Sequence, residues 1–267
     1  MAPPALEVTA SMDRRWLEDQ ARHDPVLHAY ALWDLDYAPD RVEFRVLHEG
    51  GVPIAYLLIW HGLPVPTVHW IGTERPEPLL SALPPRPLVA VVPESIGPLV
   101  SSARRPAVTY PVRLMARPAG SRPGLAANPN VRRLRPSDQA GLTEFAARAG
   151  EWAGRFYSRL RLADRPPVPE TIWGAFDGDR LVGAAHTQVK LPAVWVITGI
   201  VVEPDHRGQG LGRDLTAAAV AEADAAGAHS ALYVRDDNVP AVRAYERVGF
   251  LTVSRRTWVD AGGQRAP

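Results

Sequence analysis

The chain has 267 residues, enough for one large or two ordinary domains. Its 46% apolar and 22% charged residues and its formal net charge of +1 fit a globular protein, with no global pull toward nucleic acid or an acidic membrane. The absence of cysteine excludes disulfides, thiolate metal sites and a cysteine nucleophile.

Met1 to Ala10 reads as a frayed start without the basic-then-apolar order of a signal peptide, so the cytoplasm is the expected compartment. Apolar runs such as Val52 to Trp60 are too short to span a bilayer, and no membrane partner is expected. Ser11-Met12-Asp13 offers caps for a helix through His23, with Trp16 and Leu17 on its buried face. Asp24-Pro25 breaks it, and His28 to Leu35 reads as a second short helix. From Arg41 apolar and charged residues alternate. Glu49-Gly50-Gly51 is a turn and Ile54 to Trp60 a strand, so this region is a β-hairpin. Thr67 to Gly72 is one more strand. A short helix around Leu79 to Leu83, a strand over Leu88 to Val92, a helix over Ile96 to Ser102 and a strand over Val108 to Ala116 follow.

The stretch 117–130 is rich in Pro, Gly and Asn. It divides an N-terminal domain, 1–120, from a C-terminal domain, 131–267, with 121–130 as linker; an ordered crossing loop is the alternative reading. Val131 to Arg135 reads as a strand, and Ser137 or Asp138 caps a helix through Arg148. Glu151 to Arg161 is a helix with Trp152, Phe156 and Leu160 at four-residue spacing. Beyond a proline cluster, Thr171 to Lys190 forms a hairpin around Asp177-Gly178-Asp179. Val194 to Val202 is the central strand, Gly212 to Ala226 a helix closed by Gly227, and Ala231 to Val234 a strand. Asn238 caps a helix closed by Gly249, and Phe250 to Trp258 is the last strand. The fold class is α/β (α+β), a mixed sheet flanked by helices. The hairpin over 44–60 echoes that over 173–189. Duplication and the commonness of hairpins both account for the echo.

The sharpest feature is the stretch Glu203-Pro-Asp-His-Arg207-Gly208-Gln209-Gly210-Leu211-Gly212-Arg213. A β-branched strand runs into a loop with three glycines at alternate positions, then into a helix. Glycine lets the backbone take left-handed conformations and approach a ligand closely. The first amides of the helix have no intrahelical acceptor and sit at its positive end, so the stretch is a phosphate or pyrophosphate cradle. It is not a P-loop, because no Gly-Lys-Ser/Thr follows, and Arg213 stands where a dinucleotide fingerprint needs glycine.

Arg207-x-x-Gly210-x-Gly212, preceded by Val202-x-Pro204, resembles the coenzyme A signature of the GNAT superfamily of acyl-CoA-dependent N-acyltransferases. The segment from Asn238 through Ala241 and Tyr245 to Gly249-Phe250 is similar to that family's second conserved segment. The resemblance covers 131–260 and implies a GNAT fold, with the N-terminal half a degenerate copy, as in tandem GNAT or glycine N-acyltransferase-like proteins. It implies acetyl-CoA or another acyl-CoA as co-substrate, no metal, and transfer to a primary amine of a small molecule or peptide by direct attack. Backbone amides around Arg207, Gly208, Gln209, Gly210, Leu211, Gly212 and Arg213 would hold the pyrophosphate. The edges of Ile200, Val201 and Val202 would pair with the pantetheine arm. The N–H of Val202 would stabilise the oxyanion. Asn238 and Ala241 would meet the cofactor, Asn238 also serving as a cap.

Tyr245 is the expected general acid for the departing thiolate, against a reading as core tyrosine. The general base stays open. The strand Val194 to Val202 carries no carboxylate, and Glu203 lies at its end. His186 and Glu151 are candidates, His186 also reading as an ordinary strand histidine. His206 reads as structural. Trp152, Arg155 and Phe156 fall in the helices that shape acceptor pockets in the family. The pairs His23/His28 and His61/His69 lack metal-ligand spacing, Ser101-Ser102 lacks a nucleophile-elbow context, and no basic aromatic stripe suggests nucleic acid. A monomer or homodimer is expected. The alternatives are an acyl-CoA-binding sensor without turnover and, disfavoured by the loop spacing, a dinucleotide oxidoreductase.

Overall fold

The computed structural model describes residues 4–121, 127–162 and 170–262. Half of the expected linker, 122–126, and the proline cluster at 163–169 lie outside the described residues. Two compact units emerge. The first comprises the described residues of Met1–Leu114, Arg235–Asp237 and Ser254–Pro267, the second those of Met115–Val234 and Asn238–Val253.

In the first unit β1 (Leu6–Thr9) pairs antiparallel with β2 (Val42–Glu49), which pairs with β3 (Val52–Trp60), and β3 with β4 (Thr67–Ile71). β5 (Val89–Pro93) runs parallel to β4. The C-terminal strand β12 (Leu251–Asp260) returns to this unit, Arg256 to Asp260 pairing antiparallel with Pro93 to Val89. α1 (Arg14–His23) starts where the Asp13 carboxylate accepts from the amides of Arg15 and Trp16, at 2.8 and 3.3 Å. α2 (Ala29–Tyr37) follows, then α3 (Pro76–Ser81) and α4 (Gly97–Ala103). Side chains of β3 alternate between two cores, as the period of two demands. Tyr56 and Leu58 join Leu17 and Ala31 beneath α1 and α2, while Leu57 and Ile59 join Leu79 and Val100 beneath α3 and α4.

β6 (Val108–Arg117) leads into the second unit. There β7 (Val131–Arg133), β8 (Thr171–Asp177), β9 (Arg180–Lys190) and β10 (Val194–Val202) pair antiparallel in sequence, and β11 (His229–Arg235) runs parallel to β10. α5 (Gln139–Arg148) and α6 (Glu151–Tyr157) cover Ile172, Leu181 and Ala184 on one face. α7 (Leu211–Ala225) and α8 (Val239–Val248) cover Ala175, Ala185 and Ile197 on the other.

Three expectations are corrected. The frayed start is β1, because its backbone completes the edge of β2, from Leu6 opposite Glu49 to Thr9 opposite Val46, and Val8 packs on the core. Asp138 precedes α5 without capping it. Its carboxylate accepts from the Arg135 amide at 2.6 Å and pairs with Arg132 at 2.8 and 2.9 Å, which holds it down at about 2. α6 ends at Tyr157, four residues short of Arg161, although Trp152, Phe156 and Leu160 do share one cluster. With β1 in place, the element order β-α-α-β-β-β-α-β-α-β occurs twice, as β1 to β6 and as β7 to β12. The hairpin echo is thus part of a complete topological repeat.

Asp34 on α2 is buried, and loss of hydration pushes its carboxyl from 3.8 up to about 7. A carboxyl raised on folding favours the folded state fully below its unfolded value and loses that contribution as pH rises through the folded one. Stability of the wild type should therefore fall between pH 4 and 7, by as much as about 4 kcal/mol at 1.4 kcal/mol per unit. Asp34→Asn should flatten that slope in denaturant titrations across the range.

Candidate active site

The site grows out of the end of β10. Its parallel ladder with β11 registers Val194 to Val196 against His229 to Ala231 and ends there, though both strands run on. On its other side β10 is bulged against β9 between Thr198 and Val201. Gly199 sits in this bulge at φ +63°, and a Cβ there would lie 2.6 Å from the Phe156 ring, so only glycine fits. The buried Tyr157 hydroxyl donates to the Gly199 carbonyl. In a trans peptide C=O and N–H point oppositely, so this bond turns the Ile200 N–H away from Tyr157. Three residues on, the Glu203 N–H donates to the Val182 carbonyl on β9 at 2.9 Å. Successive amides of an extended chain face opposite edges, so the Val202 N–H faces the side of β10 where the ladder with β11 has ended.

The chain then turns at Pro204–His206. Arg207 Nε donates to the Val202 carbonyl at 3.0 Å, tying the loop to the strand end. Gly208 and Gly210 take φ +77° and +86°, and a Cβ on Gly208 would meet nothing within 4 Å. Gln209 lies between them, and Gly210 is the N-cap of α7, whose first turn is Leu211, Gly212 and Arg213. These amides, at the positive end of a 15-residue helix, form an anion cradle. The Arg213 guanidinium folds past Gly210, 3.1 Å from where a Cβ would stand, onto Asp214 at 2.8 Å.

On α8 the Asn238 side chain accepts from the Ala241 amide at 3.3 Å, and Gly249 closes the helix at φ +98°. Tyr245 lies on the buried face with Val242 and Val248. Burial raises its phenol above the ordinary value, so it holds its proton at neutral pH. The Tyr157 phenol is raised by burial and, secondarily, by Tyr245, which places the two hydroxyls in one neighbourhood.

The acidic groups separate clearly. Glu203 is buried and clamped by Arg148, at 2.8 Å, and by Arg180, at 2.5 Å. Its oxygens are committed to these pairs. His206 lies 3.4 Å from Asp177 and 3.9 Å from Glu203. Glu151 is exposed on α6 and pairs with Arg155 at 3.3 Å. His186 is buried on β9, its Nε2 2.9 Å from Glu170 and its ring 5.7 Å from that of Phe156. Trp152 stacks on Phe156 at 5.1 Å.

Tyr157 and Glu170 are the residues that the sequence reading missed. Glu170 had one signal: Ile172 pairs with His186, so a residue two earlier lies on the same face, diagonal to the histidine. Among the described residues no cluster of three or more acidic, His or Cys side chains fits a metal, and no helix is long and apolar enough to cross a membrane.

Residues 139–250 match the model of the acetyltransferase (GNAT) family. A mycothiol acetyltransferase of Geodermatophilus obscurus is 38% identical over 124 residues, 44% of this chain and 39% of the relative. Another, of Corynebacterium glutamicum, is 37% identical over 102 residues, 38% of this chain and 35% of the relative. The matches thus span less than two fifths of these relatives' lengths. Among solved structures, a tandem GNAT protein from the clavulanic acid biosynthesis pathway superposes with a TM-score of 0.59 at 17% identity, over 98% of this chain and 100% of that one. A GNAT acetyltransferase from Colwellia psychrerythraea gives 0.56 at 12% identity, over 95% and 99%. These two likenesses extend the shared fold to both halves. The second half carries the segment that matches the acetyltransferase (GNAT) family on the strand, glycine loop and helices described above.

Proposed function

We propose that the chain is an acyl-CoA-dependent N-acetyltransferase that moves an acetyl or short acyl group to a primary amine of a small molecule. The observation that carries this reading is the edge of β10, open where its ladder with β11 ends, leading directly into the left-handed glycine loop. The amides of Gly208 to Arg213 hold the pyrophosphate, and Arg207 keeps the loop against the strand. Ile200, Val201 and Val202 offer backbone groups to the pantetheine amides, and the Val202 N–H polarises the thioester carbonyl. Asn238 and Ala241 flank the cofactor at the start of α8. Tyr245, protonated in its buried setting, supplies the proton to the leaving sulfur. The curated relatives are named for mycothiol, a small molecule, which favours a small acceptor over a protein.

A second reading, an acyl-CoA-binding module without turnover, draws on the absence of a carboxylate along β10. Thiol release from acetyl-CoA across a panel of small amines separates the two. The transferase releases thiol in proportion to amine, whereas the binding module is only stabilised by coenzyme A, by about 2.7 kcal/mol at a hundredfold excess over Kd.

Tyr245→Phe should lower kcat by about a hundredfold and leave the KM for acetyl-CoA unchanged. An unchanged kcat in steady-state assays would remove Tyr245 as the acid. Gly199→Ala forces a side chain into the Phe156 ring at positive φ. It should cost about 1–3 kcal/mol in thermal or denaturant unfolding and weaken coenzyme A binding by calorimetry.

A further inference from the structure

Gly199 is the residue of β10 at positive φ, +63°. Glycine tolerates either direction of the peptide that follows it, so the Gly199–Ile200 peptide needs a constraint from outside the strand. Tyr157, the last residue of α6, supplies one. Its ring packs against those of Phe145 and Phe156, at 5.6 and 4.9 Å between centroids, and the residue is buried in the apolar cluster beneath α5 and α6. The hydroxyl stands 3.0 Å from where a Cβ on Gly199 would lie and donates to the Gly199 carbonyl. A carbonyl turned out of its ladder into apolar surroundings is costly unless a donor meets it, and this hydroxyl is such a donor. Burial, and secondarily the nearby Tyr245, hold the Tyr157 phenol well above its ordinary value, so it keeps its proton at working pH. The influence of Tyr245 also places this bond beside the acid of the site.

From this bond we infer that Tyr157 is a positioning residue, which fixes the Gly199–Ile200 peptide and thereby aims the open-edge amides of β10, from Ile200 to Val202, at the thioester arm of the cofactor. The inference rests on the transferase reading. Without the hydroxyl, the Gly199 carbonyl is left without its donor in the cluster of Phe145 and Phe156, and glycine lets the peptide turn over. The Ile200 N–H, opposite to that carbonyl, then points toward α6. The edge beyond it shifts and carries the Val202 N–H off the thioester carbonyl. The glycine loop is held separately, by Arg207 on the Val202 carbonyl and by Glu203 between Arg148 and Arg180, so the pyrophosphate amides keep their places. Two phenols thus divide the work. Tyr245 gives its proton to the leaving sulfur, whereas Tyr157 gives up no proton and acts only through the strand.

The test compares wild type, Tyr157→Phe and Tyr245→Phe, with folding checked by thermal unfolding and coenzyme A affinity by calorimetry. The carbonyl stretch of bound acetyl-CoA, read without amine by isotope-edited infrared difference spectroscopy, reports how strongly the strand polarises the thioester. In wild type it should lie below its frequency in solution. Tyr157→Phe should return it toward the solution value and lower kcat by about tenfold to a hundredfold, with coenzyme A affinity within about threefold of wild type. Tyr245→Phe should lower kcat and keep the wild-type stretch, because the acid acts only as the sulfur leaves. A Tyr157→Phe protein with wild-type stretch and kcat overturns the inference, and so does a loss of kcat at wild-type stretch, which makes the hydroxyl merely structural. Should Tyr157→Phe fail to fold, amide hydrogen exchange of the wild type decides. The Ile200 amide should exchange readily in the free protein and slow when acetyl-CoA binds, and an Ile200 amide protected without ligand overturns the inference. Wild type that binds acetyl-CoA with a lowered stretch and releases no thiol on any amine overturns the transferase reading alone.

Discussion

The second unit depends on one interruption of hydrogen bonding. β10 and β11 share a ladder for three residues and then stop, while β10 continues with a glycine at positive φ. An unpaired strand edge inside a protein is costly unless something holds the backbone in place. Here Tyr157 takes the Gly199 carbonyl, Phe156 covers the space that a Cβ would need, and Arg207 takes the Val202 carbonyl. The Tyr157 bond holds the far side of the strand, while Arg207 ties the loop to the open edge itself. The same edge runs without a break into the amides of the glycine loop.

The two halves of the chain repeat one order of elements and differ in the turn between the fourth strand and the third helix of each. In the first, β4 leads through Gly72 and Arg75, at φ +92° and +47°, into the six-residue α3. In the second, the equivalent turn holds two left-handed glycines and opens a 15-residue helix. The buried Arg256 of β12 donates to the carbonyls of both Trp70 on β4 and Val91 on β5. The strand pair that in the second unit presents an open edge is therefore bridged by a guanidinium in the first. A repeated topology carries a different site because a few backbone groups are used differently.

Charge is sorted with the same economy. Glu203 leaves the strand end and meets Arg148 from α5 and Arg180 at the start of β9, which fastens the loop to the sheet. Buried carboxylates of this kind need their partners, since an unpaired charge in the interior costs several kcal/mol. Glu170 meets a histidine instead, 2.9 Å from the His186 Nε2.

The elements that local pattern controls were legible in the residues: the hairpins around Gly50-Gly51 and Gly178, the cap by Asn238, the closure of α8 by Gly249, and the left-handed glycines of the loop. These rest on contacts within a few residues, or on backbone geometry that only glycine adopts. β1 was not legible, because four residues with little period of their own become a strand only when β2 offers an edge. The break in the ladder, the Tyr157 bond to Gly199 across 42 positions and the pairing of Glu170 with His186 were likewise decided by the sheet. By itself the sequence determined the left-handed glycine loop before α7, the mixed α/β class and the phenol on α8, since spacing and residue type suffice for those. Tertiary structure alone decided which backbone amides of β10 face its open edge and which acid stands beside the histidine, because both depend on strand register and on side chains that meet only when the sheet has formed.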